Sequence, residues 1–116
     1  MITVQHQQNL KLFEIKSKLN KTIRTTQIYW QKIITHKHPS IKNKEKEVQK
    51  TISNPEIIKV SKTDKKVVLY YRKYNNAYLC VVVKHENGKG FIITTYLTKK
   101  IKEGTIIWPK QKKLNQ

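Results

Sequence analysis

The sequence predicts an α+β fold in which two N-terminal helices pack on a four-stranded antiparallel β-sheet. Two observations carry this. The apolar period is helical, with i,i+4 spacing, up to the Asn54-Pro55 pair and alternates in short β-branched runs beyond it. Leu, Ile, Val and Phe also make up about 28% of the 116 residues, above the roughly 20% below which charged chains tend to stay unfolded. One small domain with a compact core is therefore expected.

Residues 1–21 begin with a Gln-rich stretch lacking a core pattern and are read as an arm, in which Leu10, Leu12, Phe13 and Ile15 suit a short strand or helix. Thr25 or Thr26 can cap a first helix, whose Tyr29/Ile33 and Trp30/Ile34 pairs lie on adjoining faces. That helix should stop near Lys37, because a residue preceding proline, here His38 before Pro39, is pushed out of the α region. A second helix is expected over 44–53, with Val48 and Ile52 on one face and Asn54-Pro55 ending it. Four strands follow at 57–60, 67–74, 78–84 and 91–97, separated by Thr63-Asp64, Asn75-Asn76 and Asn87-Gly88 turns. The run Val81-Val82-Val83 suits a central strand covered by the helices. Ile106, Ile107 and Trp108 are placed to fold back on the sheet, and 109–116 form a basic tail.

Charge narrows the function. Lys and Arg number 25 against 7 Asp and Glu, a net +18 that repels itself in a compact state and calls for a polyanionic partner. Only two of the cations are arginines, Arg24 and Arg72, and Ile and Asn are abundant, as AT-rich coding would produce. The lone Cys80 excludes an intrachain disulfide and a cysteine-based zinc site and fits a reducing cytoplasm. No apolar run approaches the ~18 residues of a membrane span, and the first ten residues lack a signal-peptide core, so a cytoplasmic protein without membrane association is expected.

Two constellations could carry chemistry. In Thr35-His36-Lys37-His38-Pro39-Ser40 a helix ends in two imidazoles, and an imidazole held there can transfer protons near neutrality. Two exposed histidines facing the helix C-terminal dipole would look the same in sequence. Positions two apart diverge on a helix, and His38, fixed by Pro39, is the better candidate. The second set lies on the strands: Tyr70, Tyr71, Arg72, Lys84, His85, Thr94, Thr95 and Tyr96. A cation among hydroxyls on a sheet can grip a phosphate, although Tyr and Thr are also ordinary strand residues. Scattered carboxylates argue against a glycosidase pair or a carboxylate-held two-metal nuclease, and no Gly-rich phosphate loop, nucleophile elbow or metal-ligand motif is present.

The stretch from Trp30 to His38-Pro39, then Thr51-Ile52-Ser53-Asn54-Pro55-Glu56-Ile57-Ile58, Leu69-Tyr70-Tyr71-Arg72, Cys80-Val81-Val82-Val83-Lys84 and Ile93-Thr94-Thr95-Tyr96 resembles small bacterial proteins of the barnase, EndoU, colicin D and RelE-like ribonuclease superfamily. The resemblance covers residues 22–108. It implies a RelE/barnase-like nuclease domain and a metal-independent endoribonuclease toxin, without cofactor, inhibited by an acidic antitoxin. Such enzymes let the 2′-hydroxyl attack the adjacent phosphate to give a 2′,3′-cyclic phosphate. Carried onto this chain, the resemblance makes His38 the proton-transfer group, Arg72 and Lys84 the phosphate and phosphorane clamps, and Thr95 and Tyr96 hydroxyl contacts to the scissile phosphate. Lys84, Lys37, Lys59 and Tyr71 are then expected to bind RNA. A barnase-type sheet Glu is missing, so His or Lys would serve as base. A non-catalytic RNA- or DNA-binding module, or an adaptor for an acidic protein, would account for the charge as well.

Overall fold

The computed structural model of the protein describes residues 10–110. The Gln-rich start of the expected arm and residues 111–116 of the expected tail lie outside them. Seven strands build one mixed sheet in the order β1-β2-β6-β5-β4-β3-β7: β1 (Lys11–Lys16), β2 (Thr22–Thr26), β3 (Ile57–Ser61), β4 (Val67–Tyr74), β5 (Ala77–Glu86), β6 (Lys89–Thr98) and β7 (Gly104–Trp108). This corrects the expected fold of two helices on a four-stranded antiparallel sheet.

The correction comes from both ends of the chain. The segment 22–26 is rich in β-branched residues and alternates, with Ile23 and Thr25 buried and Arg24 exposed, so it is a strand placed directly before a helix cap. It forms an antiparallel hairpin with β1, in which Ile15 faces Ile23, and so part of the expected arm belongs to the sheet. β2 then lies parallel to β6, with Thr22, Ile23 and Arg24 opposite Lys89, Gly90 and Phe91. A parallel pair needs a long crossover, and everything from residue 27 to β5 provides it. At the other end, residues 104–108 pair antiparallel with β3 and form the opposite edge.

The helices are shorter than the periodicity suggests. α1 (Gln27–Lys32) is capped by Thr26, whose Oγ1 accepts from Tyr29 N at 3.2 Å. The winding then widens into a π turn over Ile33–Lys37, closed by His38 N donating to Ile33 O at 2.7 Å. Ile33, Ile34 and Thr35 are three successive β-branched residues, which crowd an α turn, and Pro39 holds His38 outside it at φ −142° and ψ 80°. A 3₁₀ turn, Pro39–Ile41, leads to α2 (Glu45–Ser53), which carries Glu45 and Glu47 in its first turn, where the helix dipole favours them.

α2 packs on β4, β5 and β1. The main core lies on this face of the sheet: Ile23, Val68, Tyr70, Leu79, Val81, Val83 and Ile92 sit beneath Trp30, Ile33, Ile41, Val48 and Ile52. Among the described residues, the other face buries only Leu69, Tyr71 and Cys80, packed by Ile57, Val67, Tyr78, Val82, Tyr96 and Ile101. No helix among the described residues covers that second face. The sheet therefore has one helix-covered side and one largely open side.

Candidate nucleic-acid interface

Register assigns each expected site residue to a face. β5 places Leu79, Val81 and Val83 on the covered side, and Cys80, Val82 and Lys84 on the open side. Opposite them, Thr95 pairs with Val81, while Tyr96 pairs with Cys80. Tyr96 and Thr95 therefore point to opposite faces and cannot touch one phosphate together. Thr95 is fully buried, and its Oγ1 donates to Cys80 O at 2.8 Å, so its hydroxyl ties β6 to β5.

Arg72 pairs with Leu79, which pairs with Leu97, on the helix-covered side. Its guanidinium donates to Asn54 O at 2.6 Å and so holds the carbonyl just beyond α2. β4 lies two strands in from β6, roughly 10 Å across the sheet, whereas the His38 ring meets Tyr96 at 5.3 Å between centroids. The structure joins His38 to Tyr96 and leaves Arg72 apart from both. Lys84 is also engaged: its Nζ lies 3.3 Å from Asp64, whose carboxyl is held below its usual range by the Lys66 backbone N–H and then by Lys84.

The expected RNA contacts divide in the same way. Tyr71 is fully buried, and its hydroxyl accepts from Lys102 N at 3.1 Å, while burial raises it to about 12. Lys59 donates to Lys102 O at 3.0 Å, pinning the loop between β6 and β7 across the open face. Lys37 is exposed, with its ammonium 5.6 Å from the centre of the Tyr29 ring.

What remains is a compact group at the margin of β6. Beyond Phe91, no strand among the described residues lies on the outer side of β6, since β2 pairs only with residues 89–91. The π and 3₁₀ turns occupy that margin, and Tyr29 Oη donates to Ile93 O at 2.8 Å. This seats His38 beside Tyr96, and Lys102 brings its ammonium to 5.7 Å from the same tyrosine ring. Partial burial, helped by the neighbouring Lys37, lowers the His38 pKa, so the imidazole is neutral at pH 7 and able to accept a proton. The Tyr96 hydroxyl is buried beside Cys80 and driven upward by burial, so it stays protonated and its ring acts as a support. His36, two residues back, is exposed, as the divergence along a helix implies.

Lys102 carries no motif and enters only through the loop that brings it over Tyr96. A separate polar contact lies on the covered face, where Tyr70 Oη and His85 Nε2 are 3.0 Å apart. Burial and Lys21 depress His85 to about 4. Among the described residues, no group of three His, Cys, Asp or Glu side chains could hold a metal ion, and no helix is long and apolar enough to cross a membrane. No family model, curated protein or solved structure matches the chain.

Proposed function

We propose that the protein is a metal-independent endoribonuclease that binds RNA along the β6 margin and the open face of the sheet. His38 carries this reading: a neutral imidazole, half-buried against Tyr96 with Lys37 next to it in the chain and Lys102 over the same tyrosine ring, is equipped to take the proton of a 2′-hydroxyl as that oxygen attacks the adjacent phosphorus. The new P–O bond closes the 2′,3′-cyclic phosphate as the bond to the 5′-oxygen breaks, and the leaving 5′-oxygen takes its proton from water. Lys102 supplies positive charge for the phosphorane, and the net charge of +18 supplies affinity for the backbone. Arg72 and Thr95 are positioning and packing residues in this scheme, since both are engaged away from His38. An acidic antitoxin-like protein fits the same face by charge.

Incubation of the purified chain with total RNA in EDTA tests this. Cleavage should proceed, leaving cyclic phosphate ends, and His38→Ala should slow it by ~10²- to 10⁴-fold while retaining RNA binding. Because the pKa of His38 lies below its ordinary 6.5, the rate should be level at neutral pH and fall as the pH drops below that value.

The engagement of Arg72, Lys84 and Thr95 in the fold favours a second reading, an RNA-binding module without cleavage. Intact RNA in EDTA, together with salt-sensitive binding, would select it over the first.

A further inference from the structure

β2 and β6 run side by side for only three residue pairs before β2 turns into α1. The strands part there and leave a cleft of about 420 Å³, lined by Arg24, Thr25, Thr26, Tyr29, Phe91 and Ile92. Its volume is within the range of small-molecule sites. Phe91 is 42% exposed, so part of its phenyl ring is open at the cleft. Thr25 is only 3% exposed, yet its Oγ1 is buried without a hydrogen-bond partner among the described residues. A buried hydroxyl left unpaired costs on the order of 1–3 kcal/mol, a cost that a bound polar edge would remove.

The cations point the same way. Arg24 lines the cleft and forms no ion pair among the described residues, and Glu14, opposite it in the β1–β2 register, is already bonded to Lys11 at 2.6 Å. The Lys37 ammonium stands over the Tyr29 ring at one wall. Tyr29 is fixed by its bond to Ile93 O, and Ile93 is three residues before Tyr96, roughly 10 Å along the strand. The cleft and His38 thus lie along one edge of β6.

We propose that this cleft is a subsite for an unpaired nucleobase of the RNA, next to the phosphate that His38 addresses. The base stacks on Phe91, its polar edge meets the Thr25 hydroxyl, and its phosphate faces Arg24 and Lys37. Aromatic stacking accepts any base, whereas the hydroxyl distinguishes between edges, so Phe91 supplies affinity and Thr25 preference. The subsite rests on the RNA reading above.

The test uses the full chain, a short single-stranded RNA followed by fluorescence anisotropy, and the four nucleoside monophosphates followed by backbone amide shifts. Phe91→Leu, which keeps an apolar group but loses the π face, should weaken the RNA by about 5- to 100-fold. Arg24→Gln should lower the salt slope by about 0.7 for a single strand, and Thr25→Val should alter the ranking of the four monophosphates. Wild-type affinity in both Phe91→Leu and Arg24→Gln would overturn the subsite and leave RNA binding intact. If the unmodified chain binds no RNA at low salt, the RNA reading falls. Monophosphate shifts at residues 24–29 and 91–92 would then retain the cleft as a nucleotide site, and their absence would overturn it too.

Discussion

Gly90 lies where three groups already fill the space a side chain needs. A Cβ there would sit 2.8 Å from Ile23 Cδ1, 2.9 Å from Lys84 O and 3.0 Å from Val83 Cγ1. The carbonyl belongs to the sheet and cannot yield cheaply, so Gly90→Ala should cost about 1–3 kcal/mol in urea unfolding through overpacking. Arg72 shows the opposite situation, a residue whose chemistry suggests catalysis and whose contacts are those of a brace. Removing its bond to Asn54 O should cost about 1 kcal/mol, and Arg72→Ala should lower the melting temperature while leaving cleavage per folded molecule near that of the parent. His85 adds a pH dependence. Its pKa of about 4 lies below the ordinary 6.5, so the unfolded chain takes up the proton first as the pH falls. Stability should therefore decline between pH 6.5 and 4 and level off below, and His85→Asn should flatten that slope in urea titrations.

The elements differ in how much of themselves the sequence discloses. Pro39 and Asn54-Pro55 mark the helix ends because proline acts on its immediate neighbour, and Asn75, Asn87 and Gly88 occupy the positive-φ positions that tight turns require. The π turn is visible only in hindsight, in the consecutive β-branched Ile33, Ile34 and Thr35. β2 was hidden because its five residues, Thr22–Thr26, run straight into a helix cap, and its partner is β6, far along the chain. His38 could be read from Pro39, and Tyr96 from its strand, but their stacking depends on that distant pairing, as does the separation of Arg72 from both. Tyr29 is the hinge of the arrangement. Tyr29→Phe should release the bond to Ile93 O, costing about 1 kcal/mol, and should also slow cleavage by loosening the turn that carries His38. A rate unchanged after correction for folded fraction would contradict that coupling.

On the scale of the whole molecule, charge and architecture work against each other. A net +18 on 116 residues pushes the folded chain apart, while a sheet covered by helices on one face leaves the other accessible to an anion that would relieve the repulsion. RNA binding should therefore weaken steeply with salt, with log K falling linearly against log salt concentration by about 0.7 per phosphate neutralised on a single strand. A slope near zero would remove RNA as the partner. The parallel joint between residues 22–24 and residues 89–91 has a consequence in time. During synthesis the β1–β2 hairpin emerges early but lacks its partner strand in the sheet until β6 has left the ribosome, and distant pairings close slowly even in a complete chain. His38, whose turn sits against β6, gains its seat on Tyr96 only at that late step. A nascent chain stalled before residue 89 would therefore lack the assembled site, so any ribonucleolytic activity would be withheld from the ribosome that is making it.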